Sequence, residues 1–177
     1  MKRFINFALL LGIVAGFFAL PSCSTEDELD AITLSATDSA EANSKMRPLK
    51  GNFELYHQVV SGLGTPIQEI RIQGFGQLSH LGKTSFINES ILVITPTPPF
   101  ISTGTSVITA ANGDQVFTSF RSVHTPQPDR STYVVITHTI TGGTGRFSDA
   151  SGGFTAVTYA IPGVVPGILT ITGEIAY

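Results

Sequence analysis

The run Tyr133-Val134-Val135-Ile136-Thr137-His138-Thr139-Ile140-Thr141 places an apolar residue at almost every second position. Successive side chains of a β-strand point to opposite faces, so Val134, Ile136, His138 and Ile140 share one face of this segment. Tyrosine, valine and three threonines occupy the other face. Such alternation predicts a strand with one buried face.

Seven further runs of this kind flank the first, separated by Gly, Pro, Asn and Asp. The predicted strands cover residues 51–60, 67–79, 83–95, 103–111, 114–123, 131–142, 153–161 and 167–177. Asn112-Gly113 predicts a type I′ hairpin turn, whereas Pro96-Thr97-Pro98-Pro99 cannot continue a ladder and predicts a loop. Eight strands with short links predict an all-β fold, a single eight-stranded antiparallel barrel, because closure leaves no exposed edge. A β-sandwich is the alternative.

Three polar side chains fall on strand faces that are otherwise apolar: His57, Glu89 and His138. The apolar residues that share the first two faces are Phe53, Leu55 and Val59, and Ile87, Ile91 and Val93. We therefore expect the three polar side chains to converge in the lumen as ligand-binding residues. Two imidazoles and a carboxylate have the chemistry to bind a metal or to transfer protons. No histidine pair has a compact metal-ligand spacing, so neither a metal nor a catalytic residue is predicted, and hydrogen-bonded interior residues are the favoured interpretation.

Three segments carry a resemblance to known proteins: GFGQLSHLGK (74–83), TAANGD (109–114) and TGGTGRFSDASG (141–152). Together they resemble a widespread, largely uncharacterised family of exported bacterial proteins. The third segment also resembles the glycine-rich signature of plant allene oxide cyclases and dirigent proteins. This resemblance implies an eight-stranded antiparallel barrel that confines a hydrophobic molecule. The catalytic residues of those plant proteins have no clear counterparts in this chain.

The glycine-rich segment predicts a tight turn, because Gly142, Gly143 and Gly145 tolerate positive φ. Phe147 and Ala150 are then expected to point inward, and Arg146 to pair with Asp149 or with a carbonyl. A phosphate-binding role is not supported, since the segment lacks the Gly-Lys-Ser/Thr ending and no helix follows it.

The N-terminal sequence predicts export and a lipid anchor. Met1-Lys2-Arg3 is basic, the run to Leu20 is apolar, and Leu20-Pro21-Ser22-Cys23 resembles a lipobox, so we predict a lipoprotein signal peptide at 1–22 and lipidation of Cys23. A retained transmembrane anchor is the alternative, disfavoured because the apolar run is short and no basic stop-transfer flank follows it. Residues 23–45 carry six acidic side chains against Lys45, which predicts a disordered acidic linker ahead of a barrel domain at 46–177.

Residues 46–177 carry seven acidic and seven basic side chains without a basic run, so nucleic-acid binding is not expected. The chain also lacks a Gly-x-Ser-x-Gly motif, which removes support for a serine hydrolase. The sequence thus predicts a cell-envelope lipoprotein at the outer membrane or cell surface. Its barrel is expected to bind a small apolar ligand or a partner protein without catalysis or cofactor. A purely structural cell-surface module that forms a homo-oligomer, a dimer or trimer, through the barrel walls is a further alternative. An isomerase or cyclase that acts on a hydrophobic molecule in the lumen is the alternative.

Overall fold

The computed structural model describes residues 45–161 and 165–177. The predicted signal peptide (1–22), Cys23 and all of the predicted linker except residue 45 lie outside the described residues. The strands of the described ranges are β1 Arg47–Ser61, β2 Ile67–Leu78, β3 Gly82–Val93, β4 Phe100–Thr109, β5 Gln115–Pro126, β6 Thr132–Gly143, β7 Ser151–Ala160 and β8 Gly167–Ala176. A single 3₁₀ turn, Gly145–Phe147, lies between β6 and β7.

Each strand pairs antiparallel with its neighbours in the chain, and β8 pairs with β1 to close a barrel. The predicted eight-stranded barrel is therefore confirmed, and the sandwich alternative is wrong. Within the ranges that the structure describes, no helix is both long and apolar enough to cross a membrane.

The alternation of each strand sends one set of side chains into the barrel, where the strand register stacks them in rows. Phe53 of β1 lies opposite Leu169 of β8, and both side chains are buried. Gly74 of β2 lies opposite Phe86 of β3, whose ring occupies the space that a Cβ at residue 74 would need. Phe86 in turn packs edge-on against Phe53, with ring centroids 5.2 Å apart. Tight packing of this kind makes the lumen the hydrophobic core.

The two ends of the barrel are built differently. The end at which the chain enters β1 and leaves β8 is capped by buried apolar side chains, and we call it the sealed end. Its caps are Leu49, Leu81, Val116, Phe147 and Ile175, each 2% exposed or less. At the opposite, open end, the last pair between β1 and β8 joins Leu55 to Gly167, so residues 56–61 of β1 extend past β8.

The Asn112–Gly113 hairpin forms, but the predicted turn type is wrong. Of these two residues only Gly113 has a positive φ, of 90°, whereas a type I′ turn needs positive φ at both. The Ala110 amide donates to the Asp114 carbonyl at 2.8 Å, and the Gly113 amide donates to the Ala110 carbonyl at 3.0 Å. This pattern is a three-residue loop, in which a type I turn is followed by a left-handed glycine.

Candidate functional site

Most buried polar side chains of the lumen lie on one side of the barrel. Strands β3 to β6 contribute Thr84, Asn88, Ser102, Ser106, Thr118, Ser122 and His138, which alternate with apolar residues such as Phe86 and Phe120, and β7 adds Thr158. The buried lumen residues of β8, β1 and β2 are apolar and include Leu169, Ile171, Leu49, Phe53, Ile70 and Leu78. Polar groups inside the barrel are therefore concentrated on the side formed by β3 to β6.

His138 is buried in the lumen, as its strand face predicted. Its ring stacks on Phe154 at 4.3 Å between centroids and lies 5.0 Å from Phe120. The Nδ1 atom lies 2.9 Å from the Thr118 hydroxyl oxygen. Burial lowers the pKa of His138 to about 3, because desolvation penalises the charged imidazolium. The imidazole is consequently neutral near pH 7, and such a low pKa makes it a weak general base.

The gap beside His138 has room for about one water molecule. Its volume is about 10 Å³. The residues that line it are Phe86, Asn88, Ser106, Ile108, His138, Phe154, Leu169 and Ile171. The Ser106 hydroxyl donates to Asn88 Oδ1 at 2.5 Å, so these two polar side chains satisfy each other. Small-molecule sites usually enclose several hundred Å³, and this gap is far smaller.

A second polar cluster joins Ser102, Ser122 and His124. The two serine oxygens lie 2.5 Å apart, and His124 Nε2 lies 2.8 Å from Ser122 Oγ and 3.2 Å from Ser102 Oγ. Burial lowers the pKa of His124 through desolvation. A serine beside an imidazole is the spacing of an activated nucleophile. Ser122 is only 2% exposed, however, and no carboxylate of the described residues hydrogen-bonds to His124, so the geometry favours a buried hydrogen-bond network.

Glu89 does not enter the lumen, and the prediction that it converges there with His57 and His138 is wrong. The Glu89 carboxylate accepts a hydrogen bond from Arg71 at 2.8 Å on the outside of the barrel, where the Glu89 side chain is 64% exposed. The faces of β3 are the reverse of those predicted: Asn88 and Phe86 point inward, whereas Ile87 and Ile91 point outward.

His57 lies on the same inward-facing side of β1 as Phe53, but its side chain is exposed. It lies two residues past Leu55, the last β1 residue that pairs with β8, so no strand covers it. No group of three or more His, Cys, Asp or Glu residues within the described ranges is placed to hold a metal ion, and His57, Glu89 and His138 do not form a common site.

The outer face of β2 to β4 exposes large apolar side chains, and we call this surface the apolar wall. Its members are Ile67, Phe75, Ile87, Ile91, Val93 and Val107, which are 38–59% exposed. The strand register groups them near the two ends of the wall: Ile67 pairs with Val93, and Ile87 pairs with Val107. Phe75 also makes an edge-on contact with Tyr56 of β1 at 6.2 Å.

A charged pair lies between the two apolar groups. Arg71 and Glu89 are opposite residues of β2 and β3, and they form a salt bridge of 2.8 Å. An open cleft of about 460 Å³ surrounds this pair, lined in addition by Glu69, Ile91 and Thr105 among others. The wall thus combines apolar side chains with one basic and two acidic groups.

The middle of the opposite wall, formed by β6 to β8, is covered with hydroxyl groups. Thr137, Thr155 and Thr172 lie side by side on three successive strands, and all are exposed. Thr139 and Thr170 extend this surface, and both are exposed too. The apolar wall carries six of the fourteen large apolar side chains that are exposed among the described residues, and Leu63, Val165 and Ile168 expose further ones at the open end.

The glycine-rich segment closes the sealed end, together with the other two resemblance segments. Arg146 Nη2 donates to the His80 carbonyl at 2.6 Å, and the Arg146 amide donates to Asp114 Oδ2 at 3.4 Å. Phe147 and Ala150 are buried, as predicted, and Arg146 bonds to a carbonyl, one of its two predicted partners. The motif residues at this end have structural roles.

Sequence reasoning missed His124 and the apolar wall. His124 follows Ser122 at a spacing of two, a signal that both share a face of β5. The apolar wall gave no such signal, because the face of β3 that carries Ile87 and Ile91 is as apolar as a core face and was interpreted as one.

No family model matches the chain, and no curated protein matches it. Among solved structures it is similar to the pterocarpan synthase dirigent protein, at 19% sequence identity and a TM-score of 0.45. That match covers 82% of this chain and 96% of the dirigent protein chain. The barrel fold itself is established by the pairing of the eight strands.

Proposed function

We propose that the protein is a lipid-anchored lipoprotein of the cell envelope, at the outer membrane or cell surface. Its barrel binds a partner protein through the apolar wall and catalyses no reaction. The observation that carries this proposal is the contrast between a lumen filled by side chains and an outer wall that exposes six large apolar residues.

The packing of the lumen argues against the small apolar ligand that the sequence suggested as the other option. The gap beside His138 admits about one water, and the neighbouring polar groups already hydrogen-bond to each other. The alternative isomerase or cyclase would need the same space, together with a set of acid–base groups that residues 45–161 and 165–177 do not assemble in the lumen.

The apolar wall has the composition of a protein interface. Exposed apolar patches rimmed by polar groups are typical of protein–protein contact sites. Interface cores favour aliphatic and aromatic side chains over Lys, Glu and Asp, while charged groups fix specificity. Ile91 at 50% exposure and Phe75 at 54% supply the apolar part, and Arg71 with Glu89 supplies a directional charge pattern.

The chain enters β1 at the sealed end, at Arg47. A lipid on Cys23 and the acidic linker would therefore hold the barrel by that end. A flexible chain of this length spans about 25 Å on average, which would leave the walls and the open end accessible to a partner.

A photo-crosslinking amino acid at Ile91 tests the partner proposal in living cells. We expect a discrete protein adduct from this position and none from the matched position Thr172, which is exposed on the opposite wall. Equal adducts from both positions, or none from either, would contradict a role for the apolar wall.

Intact-mass measurement of the membrane-extracted protein tests the anchor. We expect loss of residues 1–22 and added acyl mass on the peptide that contains Cys23, and we expect the Cys23→Ala variant to lose that mass. A mature protein whose Cys23 peptide is unmodified would refute the lipoprotein proposal.

A further inference from the structure

We propose that the partner is a second copy of this chain. The two copies meet through their apolar walls about a two-fold axis that lies in the interface, parallel to β2 and β3 and midway between them. This inference rests on the proposed function, because it names the partner of the same surface.

The charge pattern of the wall is complementary to itself about that axis. Arg71 and Glu89 lie directly opposite each other on β2 and β3. Rotation about an axis between the two strands exchanges their positions, so Arg71 of each copy lies over Glu89 of the partner copy. Closed dimers use the same patch on both subunits, which requires this self-complementarity. An axis across the strands would instead place Arg71 over its own equivalent, and like charges would repel.

One apolar pair of the wall also matches. The rotation keeps every residue at its height along the strands, so Ile67 of one copy lies over Val93 of the other. These two residues are paired neighbours within one chain, and they are 59% and 42% exposed there. By the same register, Ile91 lies over the partner's Glu69 and Ile87 over the partner's Gln73, while the Arg71 and Glu89 charges meet between the two groups.

The position of the sealed ends supplies a second, independent argument. An axis parallel to the strands leaves both sealed ends on the same side of the dimer. The chain enters β1 at the sealed end, so both linkers leave in one direction and both lipids can insert into one membrane. An axis across the strands would place the two anchors at opposite ends of the dimer.

Two convex walls meet over few strands, so we expect an interface of less than about 1,200 Å² and a dissociation constant in the micromolar range. Attachment to a membrane offsets this weakness, because confinement of both copies raises their effective concentration. The association would then depend on anchoring, which links it to the lipid at Cys23.

Charge reversal and mixing test the inference directly. Full-length protein in a neutrally buoyant detergent is analysed by sedimentation equilibrium. We expect dimers in the wild type, and an association weakened by about tenfold or more in both Arg71→Glu and Glu89→Arg. Lys50→Glu, an exposed position on the outer face of β1, is the matched control and keeps the dimer. An equal mixture of the two weakened variants restores a species of dimer mass, because each then presents the charges that the other lacks.

Restoration on mixing requires that the two charges meet across the interface, and a variant that failed to fold could not restore anything. Wild-type protein that stays monomeric at roughly 100 µM, well above the expected dissociation constant, overturns the inference. A dimer that is indifferent to both reversals, or a mixture that stays monomeric, overturns it as well. If the wild type is monomeric while Ile91 still crosslinks to a different protein in cells, the inference fails and the proposed function stands. If neither is observed, both fail.

Discussion

The two faces of β3 depart from the pattern expected of a half-buried strand, in which apolar side chains point inward and polar side chains point outward. Inside the barrel, Phe86 shares its face with the buried Asn88. Outside, Ile87 and Ile91 lie exposed on either side of Glu89. On this strand, apolar character does not mark the inside of the protein. Burial is decided by the barrel as a whole, since the pairing register fixes which side each residue faces.

The difference teaches that the two faces serve different purposes. The inner face is a filled core in which polar groups hydrogen-bond to one another, as Ser106 does with Asn88. The outer face keeps aliphatic side chains that contribute little to the fold of one copy. Such a surface is expected when a protein uses its wall for association.

The largest expected effect on stability comes from comparing an aromatic ring inside the barrel with one on its outer surface. Phe53→Ala removes a ring that is 2% exposed, and we expect a loss of about 3–5 kcal/mol in the free energy of unfolding. Phe75→Ala removes a ring that is 54% exposed, and we expect a loss below about 1 kcal/mol. Urea denaturation followed by far-UV circular dichroism measures both, and equal losses would contradict the assignment of the two faces.

The pH dependence of stability tests the buried imidazole of His138. Burial lowers its pKa to about 3 in the folded chain, whereas a histidine of the unfolded chain titrates at about 6.5. Above the pKa of the unfolded state, the imidazole is neutral in both states, and its contribution to the free energy of unfolding is fully present. As the pH falls from there toward 3, the unfolded chain takes up a proton that the folded chain does not. The free energy of unfolding then falls by up to about 1.4 kcal/mol per pH unit.

The His138→Leu variant should lose the part of the pH dependence of the unfolding free energy that His138 causes between pH 6 and pH 4. This holds whatever the substitution does to the stability at pH 7. His57→Leu, at an exposed position of β1, controls for the loss of one imidazole. Denaturation curves at several pH values give the slopes, and a His138→Leu slope equal to that of the wild type would refute the buried, neutral state.

Arg146 shows that exposure alone does not identify the side chains that contribute little to stability. This exposed side chain donates to the His80 carbonyl at 2.6 Å and lies over the Phe147 ring, 4.6 Å from its centroid. Arg146→Ala should cost about 1–2 kcal/mol of stability, because it leaves the carbonyl without its charged donor. Thermal unfolding compares it with Arg130→Ala at a loop position between β5 and β6, which should change stability by less than about 0.5 kcal/mol. Identical melting of both variants would argue against a structural role for the glycine-rich segment.

The smallest expected effect on stability belongs to the apolar wall. Ile91→Thr keeps a β-branched residue at an exposed strand position, so we expect a change within about 0.5 kcal/mol. Sedimentation equilibrium should nevertheless show weaker association than in the wild type. A large loss of stability without a change in association would reverse the roles assigned to this surface.

The sequence predicted the number of strands, their approximate positions and the barrel closure, because alternation and turn residues are local signals. It also predicted that Phe147 and Ala150 are buried and that His138 faces the core. It misplaced Glu89, because both faces of β3 contain aliphatic residues and only the pairing with β2 and β4 tells them apart. It missed the exposure of His57, since this depends on where β8 begins relative to β1, a long-range property that no local pattern encodes.

Thiol accessibility on adjacent residues of β4 tests most directly whether the lumen is a core and the wall a binding surface. Ser106 is 3% exposed and faces inward, whereas Thr105 is exposed in the cleft beside Glu89. In the full chain, read site by site by peptide mass spectrometry, Thr105→Cys should react with a maleimide as fast as an unfolded peptide, and more slowly at concentrations that favour association. Ser106→Cys should stay unlabelled until the barrel unfolds. Rapid labelling of Ser106→Cys that an apolar small molecule suppresses would contradict this account and show an open, ligand-binding lumen.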